Sequence, residues 1–201
     1  MRKQIMKILH NLIRKESKSH EKADKKENDP KTIQDTIQVT SGDVKQYEAV
    51  QVADRRTLER IINKSLAEGK GQGCLLIGNV DRLRNINDIY GRDTGDAVLR
   101  YVITVFRGVF GEGACIGSLG GDIFALWIPT ISWGNAVEIC RRVGVVNDRL
   151  LHPAEELPPV SLSVGVSFYE SGDDCKSLGK KANRALCLVK ENGGCGCEVS
   201  L

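Results

Sequence analysis

The residues of this 201-residue chain best suited to phosphate or metal chemistry lie in two short stretches. The first is Ser118-Leu119-Gly120-Gly121-Asp122-Ile123-Phe124, set between the apolar runs Ala114 to Gly117 and Ile123 to Ile128. Two strand-like runs joined by Gly-Gly predict a tight β-hairpin, because glycine alone enters positive φ without a steric cost. Asp122 then sits at the hairpin mouth. A carboxylate held there by rigid strands, beside the end of another strand, can coordinate a metal ion or meet a phosphate through one. Taken alone, a Gly-Gly-Asp more often marks an aspartate that only caps a turn.

The second stretch lies some forty residues upstream. Cys74-Leu75-Leu76-Ile77-Gly78-Asn79-Val80-Asp81 is a short apolar run ending in polar groups. It predicts a buried strand that delivers side chains at its C-terminal end. The following residues, Arg82 to Leu99, predict a short helix, a turn at Gly91 and a longer helix.

The rest of the chain supplies the frame. Asp54 starts an amphipathic helix over Ala53 to Gly69, with Leu58, Ile61, Ile62 and Leu66 facing inward. A helix is predicted from Trp133 to Leu151, a strand from Val160 to Phe168, a helix from Asp174 to Asn192 ended by Gly193-Gly194, and a last strand from Cys195 to Ser200. That order predicts a mixed sheet with helices on one face.

Residues 1 to 31 hold ten Lys/Arg and five Asp/Glu, so the net charge of +3 divides into +5 at the front and −2 in the remainder. The main body is not basic, which argues against a nucleic-acid partner. Within residues 2 to 15, Ile5, Ile8, Leu9, Leu12 and Ile13 share one helical face opposite Lys and Arg. Such a helix suits an anionic membrane surface or a partner helix, with a frayed, solvated terminus as the alternative. Residues 15 to 30 are too poor in apolar groups to order themselves and read as a linker. We therefore divide the chain into a basic arm and disordered linker over 1–45 and a domain over 46–201. No run reaches the length of about 20 apolar residues that spans a bilayer, and the basic start lacks a signal-peptide core. The expectation is a cytoplasmic protein, with the N-terminal helix as a candidate for peripheral contact with the inner membrane. Seven cysteines, several within apolar runs, fit reduced thiols better than a disulfide framework. Cys195-Gly196-Cys197 is either half a metal site or an edge strand.

The two stretches together resemble the GGDEF family of diguanylate cyclases. The family pattern is an Asp-x-Asp strand end, Phe-Lys-x-x-Asn-Asp, Tyr-Gly-His, Gly-Asp-x-Val-Leu and a Gly-Gly-Asp-Glu-Phe hairpin. Here the corresponding residues are Asn79-Val80-Asp81, Leu83-Arg84-Asn85-Ile86-Asn87-Asp88, Tyr90-Gly91-Arg92, Gly95-Asp96-Ala97-Val98-Leu99 and Gly120-Gly121-Asp122-Ile123-Phe124. The resemblance runs from about Ala53 to Val199. It implies an α+β fold with a ferredoxin-like βααββαβ core, akin to nucleotide cyclase palms.

It also implies a reaction in which two GTP molecules, held by facing domains of a homodimer, condense to cyclic di-GMP and pyrophosphate with Mg²⁺ or Mn²⁺. The family's metal ligands map onto Asn79, the Val80 carbonyl and Asp122, and Asp122 is the matched catalytic acid. Asn79 stands where the family has Asp, and Ile123 where it has Glu. Asn87 and Asp96 match the guanine-binding positions, whose amide and carboxylate suit the O6 acceptor and the N1 and N2 donors of the base; alternatively they are a helix cap and a helix-start residue. Arg92 replaces the usual His and Arg84 the usual Lys. Lys181 and Arg184 lie where phosphates could be met, or are solvated helix residues. The family's product-inhibition motif, Arg-x-x-Asp, is Gly111-Glu112-Gly113-Ala114 here. The turn leading into the first helix, Tyr47 to Arg56, keeps only Arg55-Arg56 and Asp54 of its family pattern.

Those departures predict a GGDEF protein of cyclic di-GMP signalling that is catalytically impaired and serves as a GTP-binding or protein-interaction regulatory module, with metal binding weak or absent. The alternative is an active diguanylate cyclase, with Asp81 swinging in for the missing carboxylate.

Overall fold

The structure, a computed structural model, describes residues 52–68, 72–154 and 156–200. The expectations for the N-terminal helix, the linker and the segment before Val52 lie outside the described residues. Helix α1 (Arg55–Glu68) opens on Asp54, whose carboxylate accepts the Thr57 N–H at 2.7 Å. Strand β1 (Gly73–Val80) leads through Arg82, at φ 55°, into α2 (Leu83–Tyr90) and α3 (Arg92–Phe110). The hairpin β2 (Cys115–Gly120) and β3 (Ile123–Pro129) follows. A single 3₁₀ turn, Trp133–Asn135, precedes α4 (Ala136–Leu151), then come β4 (Leu162–Phe168), α5 (Cys175–Glu191) and β5 (Gly196–Val199).

The five strands lie in the order β2-β3-β1-β4-β5. β1 is antiparallel to both its neighbours, while β4 and β5 are parallel. This is the expected βααββαβ core, from β1 to β4, preceded by α1 and extended by α5 and the edge strand β5.

One expectation needs correction, because helices cover both faces of the sheet. Leu75 and Ile77 of β1 with Ala125 and Trp127 of β3 pack against Leu58 and Ile62 of α1 and Leu178, Ala182 and Leu186 of α5. On the other face Phe124 meets Phe106 of α3 edge-on, ring centroids 4.9 Å apart. α4 is fixed to that layer by Asn147, whose amide bonds both the Leu162 carbonyl and the Leu162 N–H. Every residue of β1 is buried, which a sheet covered on one face would not achieve.

Two glycines allow these layers to close. A Cβ at Gly165 would lie 2.0 Å from the Ala182 carbonyl oxygen, so α5 rests directly on the β4 backbone. At Gly78 it would lie 2.4 Å from the Phe124 ring.

Candidate functional site

β1 ends at the same edge of the sheet as the β2–β3 turn, and a backbone bond joins them. The Val80 N–H donates to the Asp122 carbonyl at 3.0 Å. Gly120 and Gly121, at φ 111° and 59°, make the turn, and the ladder slips by one residue between Ser118 and Gly120. The hairpin thus forms as expected and brings Asn79, Val80 and Asp122 together. The Asp122 side chain is half-buried and makes no hydrogen bond or ion pair among the described residues.

The register adds a relation that spacing alone does not contain. Asn79 and Ile123 are direct partners across β1 and β3. Directly opposed residues hold their Cβ atoms about 5 Å apart on one face. The two positions that depart from the family's acidic pattern are therefore one cross-strand pair, and Ile123 packs onto the apolar cluster between the sheet, α1 and α5. Asn79 is only 6% exposed. Its side-chain oxygen accepts a hydrogen bond from the Lys190 ammonium at 2.5 Å.

The sequence alone does not single out Lys190. β4 begins beside Asn79, and β5 begins beside β4 through the pairs Asn79↔Ser163 and Ser163↔Gly196. The last turn of α5, which feeds β5, must return to that edge. The signal in the sequence was a lysine three residues before the helix-ending Gly193-Gly194. Lys181 lies on the same helix nine residues earlier, about 13 Å along the axis at ~1.5 Å per residue. The structure places it at the opposite end of the strands, just past β4, its ammonium held by Glu170 at 3.0 Å and Asp173 at 2.8 Å. It is not gathered with Asn79 and Asp122, and Arg184 is an exposed residue of the same helix.

Asp81 does not swing toward the hairpin. Its carboxylate accepts from the Ser161 hydroxyl at 2.8 Å, the Ser163 hydroxyl at 2.7 Å and the Cys195 N–H at 3.1 Å. The side chain ties the β4 entry to the turn after α5. Gly194, at φ 81°, lets that turn approach, since a Cβ there would already be 3.4 Å from an Asp81 carboxylate oxygen.

The second half of the site is the corner between α2 and α3. The Gly91 N–H donates to the Asn87 carbonyl at 3.1 Å as α2 ends. The Asn87 side chain lies over Gly95, where a Cβ would fall 1.8 Å from its amide oxygen. Asp96 follows Gly95 in the chain, one turn beyond Arg92 on the same face of α3. Neither the Asn87 amide nor the Asp96 carboxylate is hydrogen-bonded among the described residues. Arg84 is highly exposed and lies 3.9 Å from Asp88. Asn87, Arg92 and Asp96 are thus brought to one corner, with Arg84 toward the start of α2.

The residues do not assemble the two-metal centre that the family resemblance implies. The Asn79 oxygen is bonded to an ammonium, Ile123 has no ligand atom, and both Asp81 oxygens are engaged. That leaves Asp122 and the Val80 carbonyl. No group of three or more His, Cys, Asp or Glu side chains that could hold a metal ion occurs among the described residues. A resident ammonium also repels a dication, by about 2 kcal/mol at 4 Å even with full water screening.

A mixed 2-3-1-4-5 sheet with polar groups on the β1 end, the glycine hairpin and the α2–α3 corner defines a nucleotide-cyclase-type palm. The chain belongs to the GGDEF family: the model for the diguanylate cyclase GGDEF domain matches residues 48–195. It is 28% identical over 148 residues to diguanylate cyclase DosC of Escherichia coli, covering 71% of this chain and 32% of that protein. It is 29% identical over 135 residues to diguanylate cyclase A of Treponema denticola, covering 66% and 36%. The chain thus spans about a third of the length of these relatives. Among solved structures, the active GGEEF domain of a diguanylate cyclase from Vibrio cholerae superposes with a TM-score of 0.67 at 24% identity, over 75% of this chain and 99% of that one. Diguanylate cyclase SiaD from Pseudomonas aeruginosa, in complex with its activator SiaC, has a TM-score of 0.67 at 20% identity, over 98% of this chain and 76% of that one. These likenesses concern the fold. No helix among the described residues is long and apolar enough to cross a membrane.

Proposed function

We propose that this chain is a GGDEF domain of cyclic di-GMP signalling that is impaired as a cyclase and acts as a guanine-nucleotide-binding regulatory module. The observation that carries the reading is the Asn79/Ile123 pair. Two carboxylates of the family pattern are replaced at directly opposed positions, so both losses fall on one point of the site. Two cations a few ångströms apart need carboxylates to offset their repulsion, and Asp122 is the one acid that remains at the matched metal-ligand positions.

Nucleotide recognition rests on the other half of the site. The Asn87 amide donates to guanine O6, and the Asp96 carboxylate accepts from N1 and N2. Arg92 and Arg84 add positive charge around this corner. Lys181 is left out of the proposal, since two carboxylates already hold it.

The domain in this reading covers 46–201, with 1–45 as a separate basic arm that meets a protein partner or a membrane surface. SiaD bound to its activator SiaC is a precedent for a protein partner acting on a cyclase of this fold.

A second reading, a working cyclase, draws on the unpartnered Asp122 carboxylate at the hairpin. One assay separates the two. The full chain at high concentration is incubated with radiolabelled GTP and Mg²⁺ or Mn²⁺, beside the double variant Asn79→Asp, Ile123→Glu. Cyclic di-GMP from the variant alone is the expected result. Robust turnover by the unmodified chain would establish the second reading instead.

A further inference from the structure

The contact between Lys190 and Asn79 bears on how the phosphate end of the site is neutralised. A carboxylate at position 79 would form an ion pair with the ammonium and cancel its charge. An amide oxygen accepts the same hydrogen bond without cancelling it. Asn79 therefore positions Lys190 while leaving its positive charge available to a ligand. The lysine stands on the last turn of α5, where the helix carbonyls favour a cation. The turn behind it is anchored by the Cys195 N–H bond to Asp81.

Across the strand, Ile123 presents an apolar side chain joined to the core. Magnesium keeps a nearly octahedral oxygen shell, including several waters, and gives it up reluctantly. The face shared by Asn79 and Ile123 offers that shell one amide oxygen, which is already taken. The charges within this group sum to little: Lys190 is positive, Asp122 negative, and Asn79 and Ile123 neutral.

We infer that this site takes a guanine nucleotide without a divalent cation, the Lys190 ammonium seated on Asn79 supplying the positive charge at the phosphates. This rests on the nucleotide-binding reading above and specifies it. Lys190 is exposed and its ammonium carries three donors, so it can keep its bond to the Asn79 oxygen and donate to a phosphate without rearranging the backbone.

The test is calorimetric titration of GTP into the full chain in EDTA and in excess magnesium. Affinity in EDTA should at least equal that in magnesium. Lys190→Met should weaken GTP at least tenfold in EDTA yet leave guanosine binding unchanged, because a charge-assisted bond to phosphate is lost and the base contacts are not. The double variant Asn79→Asp, Ile123→Glu should bind GTP at least tenfold more tightly with magnesium than without it. Binding by the unmodified chain only in magnesium would overturn the inference and leave the nucleotide-binding reading standing. Equal losses of GTP and guanosine in Lys190→Met would overturn it as well, by giving Lys190 a structural role. No binding in either buffer would remove both.

Discussion

Gly95→Ala separates recognition from stability at the α2–α3 corner. Gly95 is helical and has no positive φ to protect, so alanine should favour the helix by about 0.5–1 kcal/mol. The added Cβ, however, would stand 1.8 Å from the Asn87 amide oxygen, where Cβ contacts under 3.0 Å essentially never occur. The amide must therefore move by at least about 1.2 Å, the difference between those two distances. A hydrogen bond of about 2.9 Å stretched that far passes 4 Å and is no longer a bond. Loss of one or two such bonds to guanine, at roughly 1 kcal/mol each, weakens GTP by about 1–2 kcal/mol, roughly five- to thirtyfold. Isothermal calorimetry measures the affinity, and a circular-dichroism melt measures the stability. The expected variant melts at or above the unmodified temperature and binds GTP far more weakly. Unchanged affinity in a variant of unchanged stability would show that the Asn87 amide does not contact the base.

Three other outcomes follow from contacts elsewhere. Asp81→Ala removes the acceptor of three hydrogen bonds and should cost about 2–3 kcal/mol, a fall in Tm of about 4–12 °C for a domain of this size; an unchanged Tm would free Asp81 from its structural role. Burial pushes the Asp173 carboxyl up, but bonds from Lys181, Ser177 and the Glu170 N–H outweigh it and leave the group below its ordinary 3.8. Its folded pKa lies below the unfolded one, so its contribution is present above about pH 4 and is lost as pH falls through the folded value. The Tm gap between the unmodified chain and Asp173→Asn should therefore be constant from about pH 5 to 8 and close below about pH 4; a gap that persists in acid would contradict this. Among the thiols, exposed Cys187 should react first with a disulfide reagent in the native state, while Cys74 and Cys197, whose pKa values burial raises, should react only on unfolding; early labelling of Cys197 by peptide mapping would contradict the packing of β5 under α4.

Much of this molecule is legible in short windows of sequence. The Gly120-Gly121 turn, the Asp54 and Asp174 helix starts and the Gly193-Gly194 stop each depend on a few neighbouring residues, and each appears where the sequence places it. So do the β1 end that carries Asn79 and the hairpin turn that carries Asp122, because burial and alternation are local properties of a chain. The pairings are another matter. That Asn79 opposes Ile123, that Lys190 rather than Lys181 reaches the β1 end, and that Asp81 is bound by Ser161, Ser163 and Cys195 all require knowing which strands adjoin and in what register. The second helical layer was hidden for the same reason: an apolar strand such as β1 records that it is buried, but not by what. Register and layer order are settled by contacts between residues far apart in the chain, where side-chain packing across the closed sheet, as at Gly78 beneath Phe124 and Gly165 beneath α5, selects one arrangement among several that local propensities allow equally.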